Sequence, residues 1–351
     1  VAALRSIPTR SGVDSATSVG TATSMPMNYG KRLKLFSGRA NPDIAKAIGA
    51  ELDVGLSPVV LKTFSNGEVY CRFEESIRDA DVFIVQPTCT NADTGVTTND
   101  ALMELMVMID AAVAASAHRV IAVTPWYGYS RQDKQSAPRE PISARMVARM
   151  LESAGADRLL AMDLHAGQLQ GMFKIPVDHM TAMRLLAQYF IDLEMEDLVV
   201  VAPDAGRVKL NKSFAKCVGA DLAILDKERP RHQVAEIGHV IGDVRGKTAI
   251  IVDDMIDTAG TLRAAGEMVM RAGASRVFAA ATHPVFSGQA YDNLAASPFE
   301  EIVVTDTIAL SPQAPANVRV LSCAGVLADS ISQVFRGGSV SEVFGSEYQL
   351  F

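Results

Sequence analysis

The chain has no run of the roughly 18 uncharged apolar residues that a membrane-spanning helix requires. Its richest apolar segment, Leu102 to Ala117, is interrupted by Glu104 and Asp110 and reads as a buried amphipathic helix. Cysteine is scarce: Cys71, Cys89, Cys217 and Cys323 are the only four in 351 residues. They are far apart and form no CxxC pair, which excludes a disulfide framework and a cysteine metal knuckle. Small buried hydrophobes in a reducing, cytoplasmic setting fit them best. Positive charge is also in deficit, with 33 Lys and Arg against 40 Asp and Glu, a net charge of −7. A duplex-DNA binder usually carries a basic surplus, so neither nucleic acid nor membrane is an expected partner. What is present is core material: 48% of residues are apolar and 21% charged, which excludes a mainly disordered chain. The length suggests about two domains.

Residues 1–30 differ from the remainder. They hold nine serines and threonines, two arginines (Arg5, Arg10) and one acid, Asp14. That composition resembles an organellar transit peptide, but two arginines are few and no amphipathic face is present. A disordered extension is the better expectation.

From Lys34 onward short apolar runs recur, at Val82–Val85, Val120–Val123, Leu159–Met162, Leu198–Val201, Ala249–Val252, Val277–Ala281 and Ile302–Val304. Helical stretches separate them. Short continuous runs suit strands buried on both faces, and strand–helix alternation predicts parallel α/β sheets. The division between two such units falls near Met180–Thr181. In these folds ligands bind beyond the carboxyl ends of strands, so the residues after each run matter most.

The strongest of those is Ala249–Thr261, AIIVDDMIDTAGT. An apolar strand runs into Asp253 and Asp254, then a loop with Thr258, Gly260 and Thr261, then a helix. Leu262, Ala265, Val269 and Ala272 recur on one helix face, and Gly273 suits its end. Small loop residues and a helix N-terminus admit a phosphate, while the two acids accept hydrogen bonds from sugar hydroxyls. Two other patterns fail on context. DDMID fits a diphosphate–metal motif that belongs on a helix, whereas this one ends a strand. GDVRGKT at Gly242–Thr248 has the wrong glycine spacing for a phosphate-binding loop, and a strand follows it.

Four further segments sit after strands. Arg131 and Lys134, in WYGYSRQDK, supply donors for polyphosphate, and Trp126, Tyr127 and Tyr129 are candidates to flank a base. Asp163 and His165 offer a carboxylate and an imidazole for nucleotide-bound magnesium. Pro203–Lys209, PDAGRVK, forms a second anion cradle before a helix with Leu210, Phe214 and Val218 on one face. Lys227-Glu228-Arg229 puts two cations on a polar loop, suited to stabilising charge on a reacting phosphate. Together these call for a sugar phosphate and a polyphosphate.

The loop VDDMIDTAGT is similar to the ribose-phosphate loop of the phosphoribosyltransferase superfamily. The ordered set resembles the ribose-phosphate diphosphokinase family more specifically, in its bacterial form. The resemblance runs through LFSGRANPDIAKAIG (Leu35–Gly49), FSNGE (Phe64–Glu68), NDALMEL (Asn99–Leu105), RQDK, EPISAR, DLH with QLQG, PDAGRV, KER, VDDMIDTAGT, ATHPVFS and SVSEVF (Ser339–Phe344). A phosphoribosyltransferase shares the first loop but lacks RQDK, the FSNGE hairpin and the tandem architecture. A non-catalytic regulatory subunit tends to lose the cationic loop, which is intact here.

The resemblance implies two tandem phosphoribosyltransferase-like α/β domains. The first spans 31–180 with the C-terminal segment 338–351, and the second spans 181–337. It implies transfer of the β,γ-diphosphoryl group of ATP to ribose 5-phosphate, with Mg2+. Lys227 and Arg229 would be catalytic. Phe64, Asn66 and Glu68 would reach the adenine of a neighbouring subunit from a hairpin, and Arg131, Gln132, Asp133, Lys134 and His165 would bind ATP. Asp253, Asp254, Asp257, Thr258, Ala259, Gly260 and Thr261 would hold ribose 5-phosphate, and Asp204, Ala205, Gly206 and Arg207 the diphosphate. Asp163, His165 and Asp204 would contact the metal. Ser339, Val340 and Ser341 match a segment that binds regulatory phosphate or ADP in relatives. A homo-oligomer, at least a dimer and by resemblance a hexamer, is implied. Three departures stand out: Lys174 where an acid is usual, Gln135 where a lysine is usual, and Arg207 in place of a glycine.

Overall fold

Alternating burial of consecutive residues organises the chain into two sheets, each covered on both faces. The protein is described by a computed structural model for residues 32–226 and 239–344. The expected extension at 1–30, and Lys227 and Arg229, therefore lie outside the described residues. β1 (Arg32–Ser37) is followed by a hairpin of β2 (Val59–Thr63) and β3 (Val69–Phe73), then by β4 (Ala80–Val85), β5 (Arg119–Thr124), β6 (Arg158–Met162) and β7 (Val177–Met180). β1, β4, β5, β6 and β7 pair in that order, all parallel, and the hairpin stands apart as an antiparallel pair. Phe36, Val82, Ile84, Val120 and Ala122 point to one face, where the helices Thr98–Ala114 and Ser143–Ala154 cover them. Leu35, Phe83, Val85, Ile121 and Val123 point to the other, under the helix Pro42–Glu51.

The second sheet contains β8 (Leu198–Ala202), β9 (Asp221–Asp226), β10 (His239–Ile241), β11 (Thr248–Ile256), β12 (Arg276–Pro284), β13 (Ile302–Thr305) and β14 (Val318–Leu321). Its spatial order is β10-β9-β8-β11-β12-β13-β14, and every pair is parallel except β10 with β9. The chain moves from β8 outward to β9 and then returns to β11 on the other side of β8. This reversal makes the β8–β11 boundary a topological switch point, where a crevice opens beyond the strand ends.

The predicted division at Met180–Thr181 coincides with a change of sheet. β7 closes the first sheet, and the next helix, Met183–Asp192, buries Met183, Leu186 and Phe190 against the second. The later boundary needs correction. Return to the first sheet was expected at residue 338, yet Cys323, Ala324, Leu327 and Ile331 of the helix Ala324–Arg336 and its cap already pack against Leu35, Ile44 and Val85. Helical periodicity reveals which side of a helix is apolar, not which sheet receives it.

Buried polar contacts join the sheets. Thr282 Oγ1 on β12 donates to Asp163 Oδ2 at 2.6 Å. His283 Nε2 lies 3.1 Å from the Met162 carbonyl and 3.2 Å from that of Asp163, and its Nδ1 lies 3.0 Å from Thr307 Oγ1. Two carbonyl acceptors at Nε2 place the proton there, leaving Nδ1 to accept. Burial lowers the pKa of His283 and keeps the imidazole neutral. Trp126 packs edge-on against it at 4.7 Å between centroids.

Candidate active site

The site is assembled from the segments after β6, β8 and β11, with a contribution from the loop after β5. β11 is longer than its apolar run predicts: it continues through Asp253 and Asp254 to Ile256. The two acids therefore lie on the strand and not after it. Asp253 is partly buried and Asp254 buried. The chain then turns sharply through Asp257, Thr258 and Ala259, and Ala259 takes φ 59° immediately before the helix Gly260–Arg271. Ala265 and Val269 bury that helix against the second sheet. Its first-turn amides, which have no partner within the helix, open toward Thr258 and Thr261, both exposed. Asp257 is held from three sides. Arg131 Nη1 donates to Oδ2 at 2.5 Å, the Ser287 hydroxyl donates to Oδ1, and the Ser287 amide donates to the Asp257 carbonyl at 3.1 Å.

After β8, Asp204 caps a short turn by accepting from the Arg207 amide at 3.1 Å, and Phe214 anchors the following helix Val208–Val218 in the core. The turn aims the Arg207 side chain at the acids of β11. Its Nε sits 3.1 Å from Asp253 Oδ1 and its Nη2 2.6 Å from Asp254 Oδ1. From the first sheet, His165 Nδ1 sits 2.7 Å from Asp254 Oδ2 and 2.9 Å from Arg207 Nη2. Nδ1 has one position for a proton, so it donates to Asp254 or accepts from Arg207, but not both.

The acid pair is electrostatically unequal. Burial and the neighbouring Asp254 charge push the Asp253 carboxyl well above the ordinary carboxylate range, with Arg207 only partly opposing them. Burial would also raise Asp254, but the His165 hydrogen bond and the Arg207 guanidinium outweigh it and hold that carboxyl below its ordinary value.

Two cavities flank this cluster. One, of about 250 Å³, lies over Asp257, Thr258, Ala259 and Thr261 and reaches Asp204 and Arg131. The other, of about 280 Å³, is lined by His165, Gln168, Gly206 and Lys209. Asp254, His165 and Arg207 belong to both. A cradle of small loop residues with acids at one end thus adjoins a second, cation-bearing recess, as a sugar phosphate and a polyphosphate would require.

Residues 33–155 match the family model for the N-terminal domain of ribose phosphate pyrophosphokinase, and residues 236–345 match the phosphoribosyl synthetase-associated domain. The ribose-phosphate pyrophosphokinase of Gloeobacter violaceus is 46% identical over 316 residues, covering 90% of this chain and 93% of that protein. The chain belongs to the ribose-phosphate pyrophosphokinase family. Its counterpart in Burkholderia pseudomallei is 47% identical over 315 residues, with 89% and 97% coverage. The crystal structure of phosphoribosylpyrophosphate synthetase from Mycobacterium smegmatis superposes with a TM-score of 0.79 at 43% identity, over 88% of this chain and 100% of that one.

Within this pyrophosphokinase fold, the expected site residues divide into those that converge and those that do not. Asp253, Asp254, Asp257, Thr258, Ala259, Thr261, Asp204, Gly206, Arg207, Arg131 and His165 line the paired cavities. Phe64, Asn66 and Glu68 form the tip of the β2–β3 hairpin: the Phe64 amide donates to the Glu68 carbonyl at 2.8 Å, and the Phe64 ring is 51% exposed. That ring packs edge-on against Tyr70 of the same hairpin at 5.9 Å between centroids. Asp133 is buried and receives the Gln168 side-chain amide, while Gln132 and Lys134 are exposed.

Asp163, His165 and Asp204, expected to contact nucleotide-bound magnesium, line the two cavities, and among the described residues no group of three or more His, Cys, Asp or Glu side chains is placed to hold a metal ion. Asp163 is buried, its Oδ2 taken by Thr282 and by the Ala182 amide at 2.9 Å, so it fastens the two sheets. Trp126 and Tyr127 flank no base, since both are buried; Tyr127 donates to the Ala144 carbonyl at 3.0 Å within the first core. Of the departures, Gln135 closes its own loop by donating to the Glu140 carbonyl at 2.6 Å, and the Lys174 amide bonds Glu152. The Ser339–Ser341 segment leads into the short helix Ser341–Phe344, whose last carbonyl accepts from Arg184 at 3.0 Å.

The residues that support the site are hard to find from sequence patterns. Glu104, fully buried, accepts from the Arg39 amide at 2.7 Å, from Arg39 Nε at 2.5 Å and from Gln86 at 2.9 Å. Arg39 Nη2 then donates to Thr63 Oγ1 at 2.9 Å, tying the turn end of the hairpin to this buried charge. An acid inside an otherwise apolar helix was the available signal, because such a charge needs a partner.

Proposed function

We propose that the protein is a ribose-phosphate diphosphokinase, transferring the β,γ-diphosphoryl group of ATP to the C1 hydroxyl of ribose 5-phosphate and releasing AMP. The observation that carries this reading is the pair of cavities sharing Asp254, His165 and Arg207. The first suits the sugar phosphate. Asp257, Thr258, Ala259, Gly260 and Thr261 receive the 5-phosphate on backbone amides and hydroxyls, and Asp253 and Asp254 accept from ribose hydroxyls. The second suits the transferring diphosphoryl group, with Asp204, Ala205, Gly206 and Arg207 at its wall.

Magnesium enters as part of the ATP substrate. Such an ion keeps several waters and takes phosphate oxygens with only one or two carboxylates, which fits a site lacking a three-ligand cluster. Asp204, exposed beside the cavity, is the protein oxygen best placed for it. Bound there, the ion would neutralise polyphosphate charge.

The reaction is an in-line displacement in which positioning and charge neutralisation dominate. The C1 oxygen attacks the β-phosphorus, the bond from that phosphorus to the α,β-bridging oxygen breaks, and AMP leaves with that oxygen. Arg207 and His165 lie where donors can steady the moving group. Lys227 and Arg229 are assigned the same task by resemblance. Phe64, Asn66 and Glu68 are proposed to cover the adenine of a neighbouring subunit, which requires at least a dimer. Ser339–Ser341 are proposed to bind a regulatory phosphate or ADP. The described part has no helix long and apolar enough to cross a membrane, and its four cysteines are free, consistent with a cytoplasmic enzyme.

The test is product analysis after incubation with ATP, magnesium and ribose 5-phosphate. AMP and 5-phosphoribosyl 1-diphosphate in equal amounts are expected. ADP, or a requirement for a nucleobase, would overturn the reading.

A further inference from the structure

Arg207 is the one cation shared by both cavities among the described residues. Its guanidinium is nearly spent on internal partners. Nε meets Asp253 at 3.1 Å, Nη2 meets Asp254 at 2.6 Å and His165 Nδ1 at 2.9 Å, and Nη1 reaches the His165 carbonyl at 3.3 Å. The side chain is 19% exposed, so these contacts are made largely out of water. The carboxylate oxygens that would accept from a sugar are thus partly occupied by the arginine that would bind the phosphate chain. We propose that Arg207 couples the two substrate sites, so that ribose 5-phosphate and the nucleotide each raise the affinity for the other.

The coupling follows from competition for two oxygens. A ribose hydroxyl donating to Asp253 Oδ1 or Asp254 Oδ1 meets the oxygen that Arg207 now uses. The guanidinium then turns one or more donors toward the second cavity, beside Gly206 and Lys209. With no phosphate there, turning a largely buried cation away from its acids is costly. With a polyphosphate there, the lost ion pair is replaced by another. His165 Nδ1 lies 2.7 Å from Asp254 Oδ2, so that carboxylate keeps a partner when Arg207 turns away. The two arrangements differ in which anion Arg207 serves, and both ligands favour the same one. Such coupling is reciprocal. Glycine at this position has no side chain to carry it.

The proposal rests on the functional reading above, and its test separates the two. Binding of α,β-methylene ATP with magnesium is measured by calorimetry on the full chain, without and with saturating ribose 5-phosphate. The bridging methylene prevents turnover. The wild type is expected to bind the analogue at least about fivefold more tightly when ribose 5-phosphate is present. In Arg207→Gly the ratio is expected to fall to within about twofold of unity. Arg207→Lys keeps the charge but lacks the fork needed to meet both acids and His165, so it too should lose most of the ratio. Thermal melting confirms that each variant is folded, and the lysine variant serves if the glycine variant is not. An unchanged ratio in a folded variant, or a wild-type ratio of one, overturns the coupling alone. A wild type that binds neither ligand overturns the functional reading as well.

Discussion

Replacing Asp253 by asparagine should change how stability responds to pH in the ligand-free protein. Asp253 and Asp254 adjoin, and the Asp254 amide donates to Asp253 Oδ1 at 2.9 Å. Burial and the Asp254 charge raise the Asp253 carboxyl. A raised acid keeps in the folded state a proton that the unfolded chain releases near pH 4, so stability falls as pH rises from there. One proton contributes at most about 1.4 kcal/mol per pH unit, or up to about 3 kcal/mol between about pH 5 and pH 7. Asp254 is shifted downward, so its contribution is complete above about pH 4 and is lost only on further acidification. His179 and His283 act in the opposite sense: burial lowers both, and their contribution is complete above about pH 6.5 and is lost as pH falls. The variant keeps both histidines, so the difference between the two proteins isolates Asp253. Urea denaturation at a series of pH values should show Asp253→Asn gaining on the wild type as pH rises. Parallel curves would refute the unequal acid pair.

Three other substitutions probe separate parts of the site. Asp257→Ala removes an exposed ion pair with Arg131 and the hydrogen bond from the Ser287 hydroxyl, and should cost about 1–2 kcal/mol of stability. It should raise the KM for ribose 5-phosphate tenfold or more in initial-rate assays, and an unchanged KM would reject the sugar-phosphate loop. Thr282→Val leaves the buried Asp163 carboxylate without one donor and should cost about 1–3 kcal/mol in urea titration; no loss would show that the inter-sheet contact is dispensable. Lys227→Ala should lower kcat far more than it changes ribose 5-phosphate affinity, and normal turnover would exclude its catalytic role.

Much of the site was legible because parallel sheets concentrate ligand chemistry at strand ends. AIIVDDMIDTAGT and PDAGRVK could each be placed after a strand with no knowledge of packing. Their meeting point depended on the switch between β8 and β11, which local patterns do not encode. Asp163 shows the limit. Its position after a strand is visible in the sequence, but its hydrogen bond from Thr282, 119 residues later, is not. Trp126 and Tyr127 looked like a base platform, and core packing took them. The helix Ala324–Arg336 has a clear apolar face, but nothing in that periodicity assigns it to the first sheet. Arg207 was identified as a cation in the cradle; its bridge to Asp253, Asp254 and His165 is tertiary.

The central claim is attack at the β-phosphorus of ATP by ribose 5-phosphate. It is tested most directly with ATP carrying oxygen-18 in the α,β-bridging position, with the products read by phosphorus NMR. The account predicts that the heavy oxygen leaves with AMP and that the diphosphate of the ribosyl product contains none. Heavy oxygen in the ribosyl diphosphate, or its retention in ADP, would contradict it.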